Sequence, residues 1–484
     1  MGFSPLWYFL GIKKGKRLAP SKLSDLTRLA WDAWPTADDI AAEMQVRPTE
    51  QCVTLIKDIE LSVDFVASIF NSGNISADKC ASILNDINIT ADKAASILNS
   101  NNISVDKAAA ILNSNNITID KAAKILNSPY LDVSKAEQIL KSAYLNADKA
   151  QAILYNANLK WSKLIDILTV SASSSTISTN TSISGIQRYR DLIIDSGITL
   201  SVDGQPGVII AETITNNGTI TKTPTGGAGG SPGTSPGRGG NGGGGLYIIA
   251  KKIANDGIIQ SNGENGEAGG GTNTTKAGYA GSDGIYGIIS GDSIGSGGNG
   301  GSVVSGNKGQ GVIGGGGGGG GRDGALGGSG GNASTEIYNS EYDLYTKFRK
   351  ALVDWWLQNI ANKVPSVIED FPSYYGAGGG GGADDIGYAD CGGGGGSGGE
   401  LIVIVDSLDN TGTIQANGGN GGNGGAVGSY DSGGGGGAGG IIYVLYNSAT
   451  NIGTLQANGG NGGTGDYNGE NGTVGTARAI QISI

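Results

Sequence analysis

Two periodicities divide the chain. From Leu61 onward apolar anchors recur every 14 residues, at Leu61, Ile75, Ile89, Ile103, Ile117, Leu131, Leu145 and Leu159, which makes eight units in succession. Within a unit such as NISADKCASILNDI, Ser76 is placed as an N-cap and Asp78 falls in the first turn, where the helix dipole favours it. Ala77, Cys80, Ala81 and Leu84 follow at i, i+3, i+4 and i+7, one apolar face on a helix of roughly 14 Å. The Asn-Ser-Asn-Asn joints favour turns. One such helix cannot bury its face alone, so the pattern predicts a solenoid of stacked short helices. A continuous coiled coil is the alternative, because 14 residues are two heptads.

Beyond Ser184 the pattern changes to alternation. Leu192–Ile194, Ile198–Val202 and Val208–Ile210 read as short strands, and a longer unit then recurs four times, around Gly218, Gly257, Gly412 and Gly453. Its copies include VIIAETITNNGTI, YIIAKKIANDGII and IVIVDSLDNTGTI, each strand, turn, strand and then a Gly/Asn tract. Steps of 39 and 41 residues separate the first and last pairs. Equal phase of the Gly-Thr-Ile element points to a β-solenoid or β-helix, and Asn-Gly hairpin turns in antiparallel sheets are the alternative. The Gly/Asn tracts, with Gly314 to Gly321 as the extreme, have nothing to bury. They order only if backbone groups bond between adjacent strands, as in packed polyproline-II-like glycine helices.

The rest of the chain is shorter to read. Residues 18–60 contain helical stretches: Ser21 or Ser24 caps one that Pro35 ends, Thr36 caps a second through Ile40 and Met44, and Pro48 restarts the pattern. A capping box at Ser340–Asp343 opens a helical insertion with Leu344, Phe348, Leu352 and Trp355 as its stripe. The expected organisation is a multidomain α-then-β chain: a helical head over 1–60, the helical repeats over 61–170, a Ser/Thr-rich linker over 171–190, and a glycine-rich β domain over 191–484 carrying a helical insertion at 335–375.

Composition narrows the chemistry. Of 91 glycines only four precede Ser184, so glycine belongs to the second half. The net charge of −11 argues against nucleic acid as a partner. Histidine is absent, which removes serine-triad and histidine-zinc chemistry. Cys52, Cys80 and Cys391 are too scattered for a disulfide framework or a metal site and read as buried thiols. The ten apolar residues from Phe3 to Ile12 are too short to span a membrane, and no later stretch is a transmembrane candidate. No cofactor is expected, since G-x-x-x-x-G-K-[ST] does not occur. The triplets at Asn74, Asn88, Asn102 and Asn116 match the glycosylation acceptor, although their Ser or Thr already has a capping role. Twelve Asn-Gly pairs are chemically labile sites in an unfolded chain.

Two features look functional. Adjacent carboxylates at Glu369–Asp370 and Asp384–Asp385 match what a glycan hydrolase needs, although neighbouring acids more often mark a solvated turn. The aromatic and acidic island Trp355, Trp356, Tyr374, Tyr375, Asp384, Asp385 and Tyr388, embedded in glycine, is the most binding-like stretch. Its competing reading is a helix that caps the sheet with Trp355 in its core. With a helical head, a repetitive shaft and a GGNGG- and NGTI-rich C-terminal half, the chain resembles glycine-rich tail-fibre and spike adhesins of bacteriophages and archaeal viruses. That resemblance implies a non-enzymatic virion protein, homotrimeric, that binds a host-surface glycan or glycoprotein through its glycine-rich domain. It also implies attachment to other tail or capsid proteins through the N-terminal region, for which Trp7, Tyr8, Phe9, Lys13, Lys14, Lys16 and Arg17 are the candidates. The alternatives are a self-assembling extracellular filament or cell-surface adhesin, and a glycan-cleaving tailspike.

Overall fold

The structure, a computed structural model, describes residues 36–58, 61–224, 237–269, 316–320, 328, 331, 341–371, 376–380, 382, 384–385, 389–425 and 431–483. The chain forms two compact units, one of residues 1–170 with 349–370 and one of residues 171–348 with 371–484.

Among the described residues the first unit holds ten short helices: α1 (Ala37–Val46), α2 (Thr49–Asp58), α3 (Val63–Asn71), α4 (Ala77–Asn85), α5 (Ala91–Asn99), α6 (Val105–Asn113), α7 (Ile119–Asn127), α8 (Val133–Lys141), α9 (Ala147–Tyr155) and α10 (Trp161–Thr169). Thr36 caps α1 in a reciprocal box with Asp39, and Ser76, Thr90, Ser104 and Thr118 each accept the N–H three residues on. Helices of nine residues separated by turns replace the coiled-coil alternative. Side-by-side packing joins second neighbours, α1 to α3 to α5 to α7 to α9 and α2 to α4 to α6 to α8 to α10, so two repeats make one step of the stack.

The polar residues of the repeat make that step. Ser100 accepts from Asn102 N and donates to Asp64; Asn102 donates to the Asp64 carbonyl; Asn71 accepts from Ser104 N. Lys107 donates to the carbonyls of Ser72 and Ile75 at the C-terminal end of α3. Copies of these bonds recur along the stack, with Ser114 on Asp78, Ser128 on Asp92 and Ser142 on Asp106, and with Lys121, Lys149 and Lys163 on the carbonyls of earlier units. Burial lowers the ammonium pKa of Lys121, Lys135 and Lys149. The apolar face is wider than the four expected positions: Cys80, Ala81, Ile83 and Leu84 are buried, whereas Ala77 is only half-buried. Each helix is covered on two sides, which brings Ile83 and its equivalents inside. Burial pushes the Cys80 thiol up to about 12, and Cys52, Cys80 and Cys391 are buried and form no disulfide.

Among its described residues the second unit is built on strands that pair in parallel, with one antiparallel exception. They are β1 (Ser175–Ile177), β2 (Thr181–Ile194), β3 (Thr199–Asn216), β4 (Thr219–Lys222), β5 (Gly245–Asn255), β6 (Ile258–Gln260), β7 (Asp384–Asp385), β8 (Ala389–Asp390), β9 (Glu400–Asn410), β10 (Thr413–Gln415), β11 (Ile441–Asn451), β12 (Thr454–Gln456) and β13 (Thr476–Gln481). All but β7 and β8, the antiparallel pair, form one eleven-stranded sheet. One row runs from β2 through the C-terminal part of β3 to β5, β9, β11 and β13, and another from the N-terminal part of β3 to β4, β6, β10 and β12. Val208 pairs with Tyr247 and Tyr247 with Ile402, the alignment read from the repeats. Parallel pairing removes the hairpin alternative. Ile209, Ile214, Leu200, Ile220, Ile248, Ile259, Val403 and Ile414 fill the core to which both rows contribute. A ladder of Asn216, Asn255 and Asn410 carboxamides runs through the turns.

Two boundaries differ from expectation. The segment 171–190, expected as a linker, carries β1 and most of β2, because its Ile residues alternate with Ser and Thr and extend the same sheet. The insertion is a helix, α11 (Glu341–Asn359), but residues from Arg349 to Asp370 belong to the helical unit. There Lys363 bonds the carbonyls of Ser142 and Leu145, the contact a further repeat's lysine would make, and buried Arg349 donates to Leu154, Asn156 and Leu159 carbonyls. The expected N-cap Ser340 lies outside the described residues.

Two outcomes are expected. Lys107→Ala leaves two half-buried carbonyls without their charged donor and should cost about 1–3 kcal/mol in urea unfolding. Lys222 is 1% exposed, and burial lowers its pKa to about 8, opposed by the Asp203 carboxylate. Because the folded pKa lies below the unfolded 10.5, the folded state binds fewer protons between pH 8 and 10.5. Stability therefore rises across that window and is lost as pH falls through it; unfolding curves of Lys222→Met should lack the rise.

Candidate functional site

In the row of long strands β5, β9 and β11 are each preceded by a glycine tract, and in the outer row of short strands β6, β10 and β12 are each followed by one. Residues 391–399 show the arrangement. Gly392, Gly395 and Gly398 donate to Ser432, Gly435 and Ala438; Gly393, Gly396 and Gly399 donate to Glu267, Glu264 and Ser261; Gly394 and Ser397 donate to Gly380 and Ala377. Carbonyls of the same tract accept from three further sides, from Gly237, Gly240 and Gly243, from Gly317 and Gly320, and from Gly419 and Gly422. These bonds measure 2.7–3.0 Å. Partners change with every residue and return every third, which is the three-residue turn of a polyproline-II helix, with six neighbours around one tract.

Absence of side chains is a steric requirement here. A Cβ on Gly394 would lie 2.0 Å from the Gly317 oxygen, one on Gly395 2.0 Å from Gly419 O, and one on Gly396 2.0 Å from Asn241 O, so all three directions are closed by backbone. Of the eight-glycine run, Gly316 to Gly320 are described and lie within the bundle: Gly317 donates to Gly395 and Gly320 to Gly392. Gly314, Gly315 and Gly321 lie outside the described residues.

At the outer tracts, 261–269, 416–424 and 457–465, every third direction faces solvent, and asparagine takes that position. Each carboxamide oxygen accepts a backbone N–H from the next tract: Asn262 from Asn417, Asn265 from Asn420, Asn417 from Asn458, and Asn420 from Asn461. Donors that would otherwise be orphaned at the edge are thereby satisfied. The adjoining Gly418 and Gly421 amides donate to Asn458 and Asn461, so the nitrogens that would attack a labile Asn-Gly pair are engaged.

The outer row of short strands continues this surface. Thr199, Thr219, Ile258, Thr413 and Thr454 stand in register, and so do Ser201, Thr221, Gln260, Gln415 and Gln456. Their neighbours Leu200, Ile220, Ile259 and Ile414 point into the core, so these ten face outward, half-buried or exposed. Neither rank contains a charge. The carboxamides hold one another: Gln415 donates to Gln260 at 2.7 Å, Asn262 to Gln260 at 3.0 Å, and Asn417 to Gln415 at 3.2 Å.

The aromatic and acidic island is described only in part. Trp356 is fully buried, and its indole N–H has no hydrogen-bond partner, so it is a core residue rather than a sugar platform. Trp355, expected in the core, is half-buried; the buried stripe of α11 runs through Leu344, Phe348, Leu352 and Trp356 instead. Asp384 and Asp385 lie in β7, paired antiparallel with Asp390 and Ala389. Tyr374, Tyr375 and Tyr388 lie outside the described residues, as do Trp7, Tyr8, Phe9, Lys13, Lys14, Lys16 and Arg17.

Two buried polar groups are not among the residues expected from the sequence. In the helical unit Asp354 accepts from Gln151, Tyr155 and the Glu369 N–H at 2.6–2.7 Å, and burial, then Asp354, raises the Tyr155 pKa. Gln151 stands where earlier repeats have Ala95, Ala109 and Ala123, and Tyr155 where they have Asn99 and Asn113; those departures were the available signal. In the other unit Tyr247 donates to buried Glu400 at 2.6 Å and packs edge-on against Phe348. No helix among the described residues is long and apolar enough to cross a membrane.

No protein-family profile matches this chain, and neither a curated protein nor a solved structure is significantly similar to it.

Substitution should separate the two kinds of position. Gly394→Ala forces backbone apart inside the bundle and should lower stability by about 3–5 kcal/mol, whereas Asn420→Ala loses one edge acceptor and should cost only about 1 kcal/mol by calorimetry or urea titration.

Proposed function

We propose that the protein is a structural attachment protein of a virion, a tail fibre or spike that binds a host-surface glycan or glycoprotein through its glycine-rich domain. In this reading the parallel rows are successive coils of a β-solenoid that pass into polyglycine-II helices, and the helical repeats are an α-solenoid spacer. Attachment to other tail or capsid proteins is through the N-terminal region, and the working form is a homotrimer. The observation that carries the reading is the bundle itself: a rigid body closed by backbone bonds whose outer surface offers uniform ranks of short polar side chains. Such a surface suits adhesion better than catalysis, which needs convergent titratable groups.

The test is location. Antibodies raised against the folded protein should label the outer surface or tail of purified particles, and the purified protein should have a mass near three times 48.5 kDa. Labelling of the cell envelope without particles, or filaments formed by the protein alone, would replace this reading with the adhesin or filament alternative.

A further inference from the structure

The outward ranks of the short strands have properties of a binding face that none of the expected site residues share. Successive coils place equivalent side chains about 4.8 Å apart, positions two apart along a strand repeat at about 6.6 Å, and the asparagines of the glycine tracts continue at about 9.3 Å. Ile258 and Gln260 sit at its centre, with Thr219 and Thr221 on one neighbouring coil, Thr413 and Gln415 on the other, and Thr454 and Gln456 one coil further. The chemistry of this lattice is narrow. Its two ranks carry hydroxyls and carboxamides, each with donor and acceptor capacity, one apolar residue, Ile258, and no charge; the acids Asp203 and Asp256 flank them and accept from the Thr223 and Thr411 hydroxyls. Glu264 and Glu267 at its border are paired with Arg238.

We infer that this face is the ligand-binding surface, and that its ligand is an uncharged linear polysaccharide lying across the coils. The inference rests on the attachment reading above and names its site and ligand class. An anionic polymer would leave its charges unpaired against a face without cations, and a protein partner would find almost no apolar area to bury. A neutral polyhydroxylated chain matches on both counts, and the rung spacing is comparable to the rise of one pyranose unit along an extended polymer. Rigidity strengthens the match: the carboxamides are already fixed by one another and by backbone N–H groups, so little side-chain entropy is lost on contact. Repetition supplies the affinity, since each weak rung is duplicated by its neighbours.

The experiment is affinity electrophoresis of the full-length protein in native gels containing dextran, mannan or xylan, with alginate as the anionic comparison. Retardation by at least one neutral polymer is expected, with the apparent Kd raised about tenfold or more in Thr413→Asp/Gln415→Glu and in Thr454→Asp/Gln456→Glu. The second pair lies on the edge strand β12, where both residues face solvent, and keeps the test open should the first fail to fold; circular dichroism monitors both. Retardation that survives in folded variants, retardation by alginate alone, or none by any neutral polymer overturns the inference. Particle labelling is a separate readout: labelled particles combined with unchanged polymer binding in the variants would refute this face while leaving the attachment reading intact.

Discussion

Everything distinctive about the second unit depends on the backbone hydrogen bond between glycine tracts. A tract of polyproline-II form makes no bonds within itself, so each N–H and C=O must find a partner on another tract. Around residues 391–399 six neighbours supply those partners, and at the tract's glycines the approach that makes this possible leaves no room for a Cβ. Glycine carries the largest entropy loss on folding. A single tract could not offset it; a bundle in which each tract serves several others can.

That constraint reaches into the sheet and onto the surface. Tracts 391–399 and 432–440 run directly into β9 and β11, so register in the bundle and register in the strands are one register. At the perimeter the missing neighbour would leave N–H groups unpaired, and asparagines spaced three apart close them from the adjacent tract. The NGG pattern is therefore the signature of an edge, and uninterrupted glycine the signature of the interior. The helical unit uses the same logic with side chains: Asp64, Ser100, Asn71 and Lys107 bond groups two repeats away, which ties a stack whose individual helices are too short to be stable alone.

Local pattern was legible in the sequence where it reflects local physics. The caps at Ser76 and Thr90, the helix length and the phase of the four strand units all follow from side chains within one repeat. What needed three dimensions were relations between repeats. A period of 14 residues does not reveal that helices pack with their second neighbours, and Ser175 to Arg190 looks like a linker because its strand partners lie downstream. Trp356 and Trp355 differ by one residue on a helix, and which one turns inward is set by packing that composition does not encode. The polar face was hidden for a related reason: Thr219, Thr413 and Thr454 share a phase in the repeats, but that they line one outward face follows only from the packing of Ile220, Ile259 and Ile414 into the core.

The central claim is that the glycine tracts are ordered by bonds to one another, and amide hydrogen exchange reads this directly. In native protein, the amides of Gly392 to Gly399 and Gly433 to Gly440 should be protected to a degree comparable with the strands β9 and β11 that they enter. Exchange of these glycines at the rate of an unstructured chain, with the strands still protected, would contradict the account.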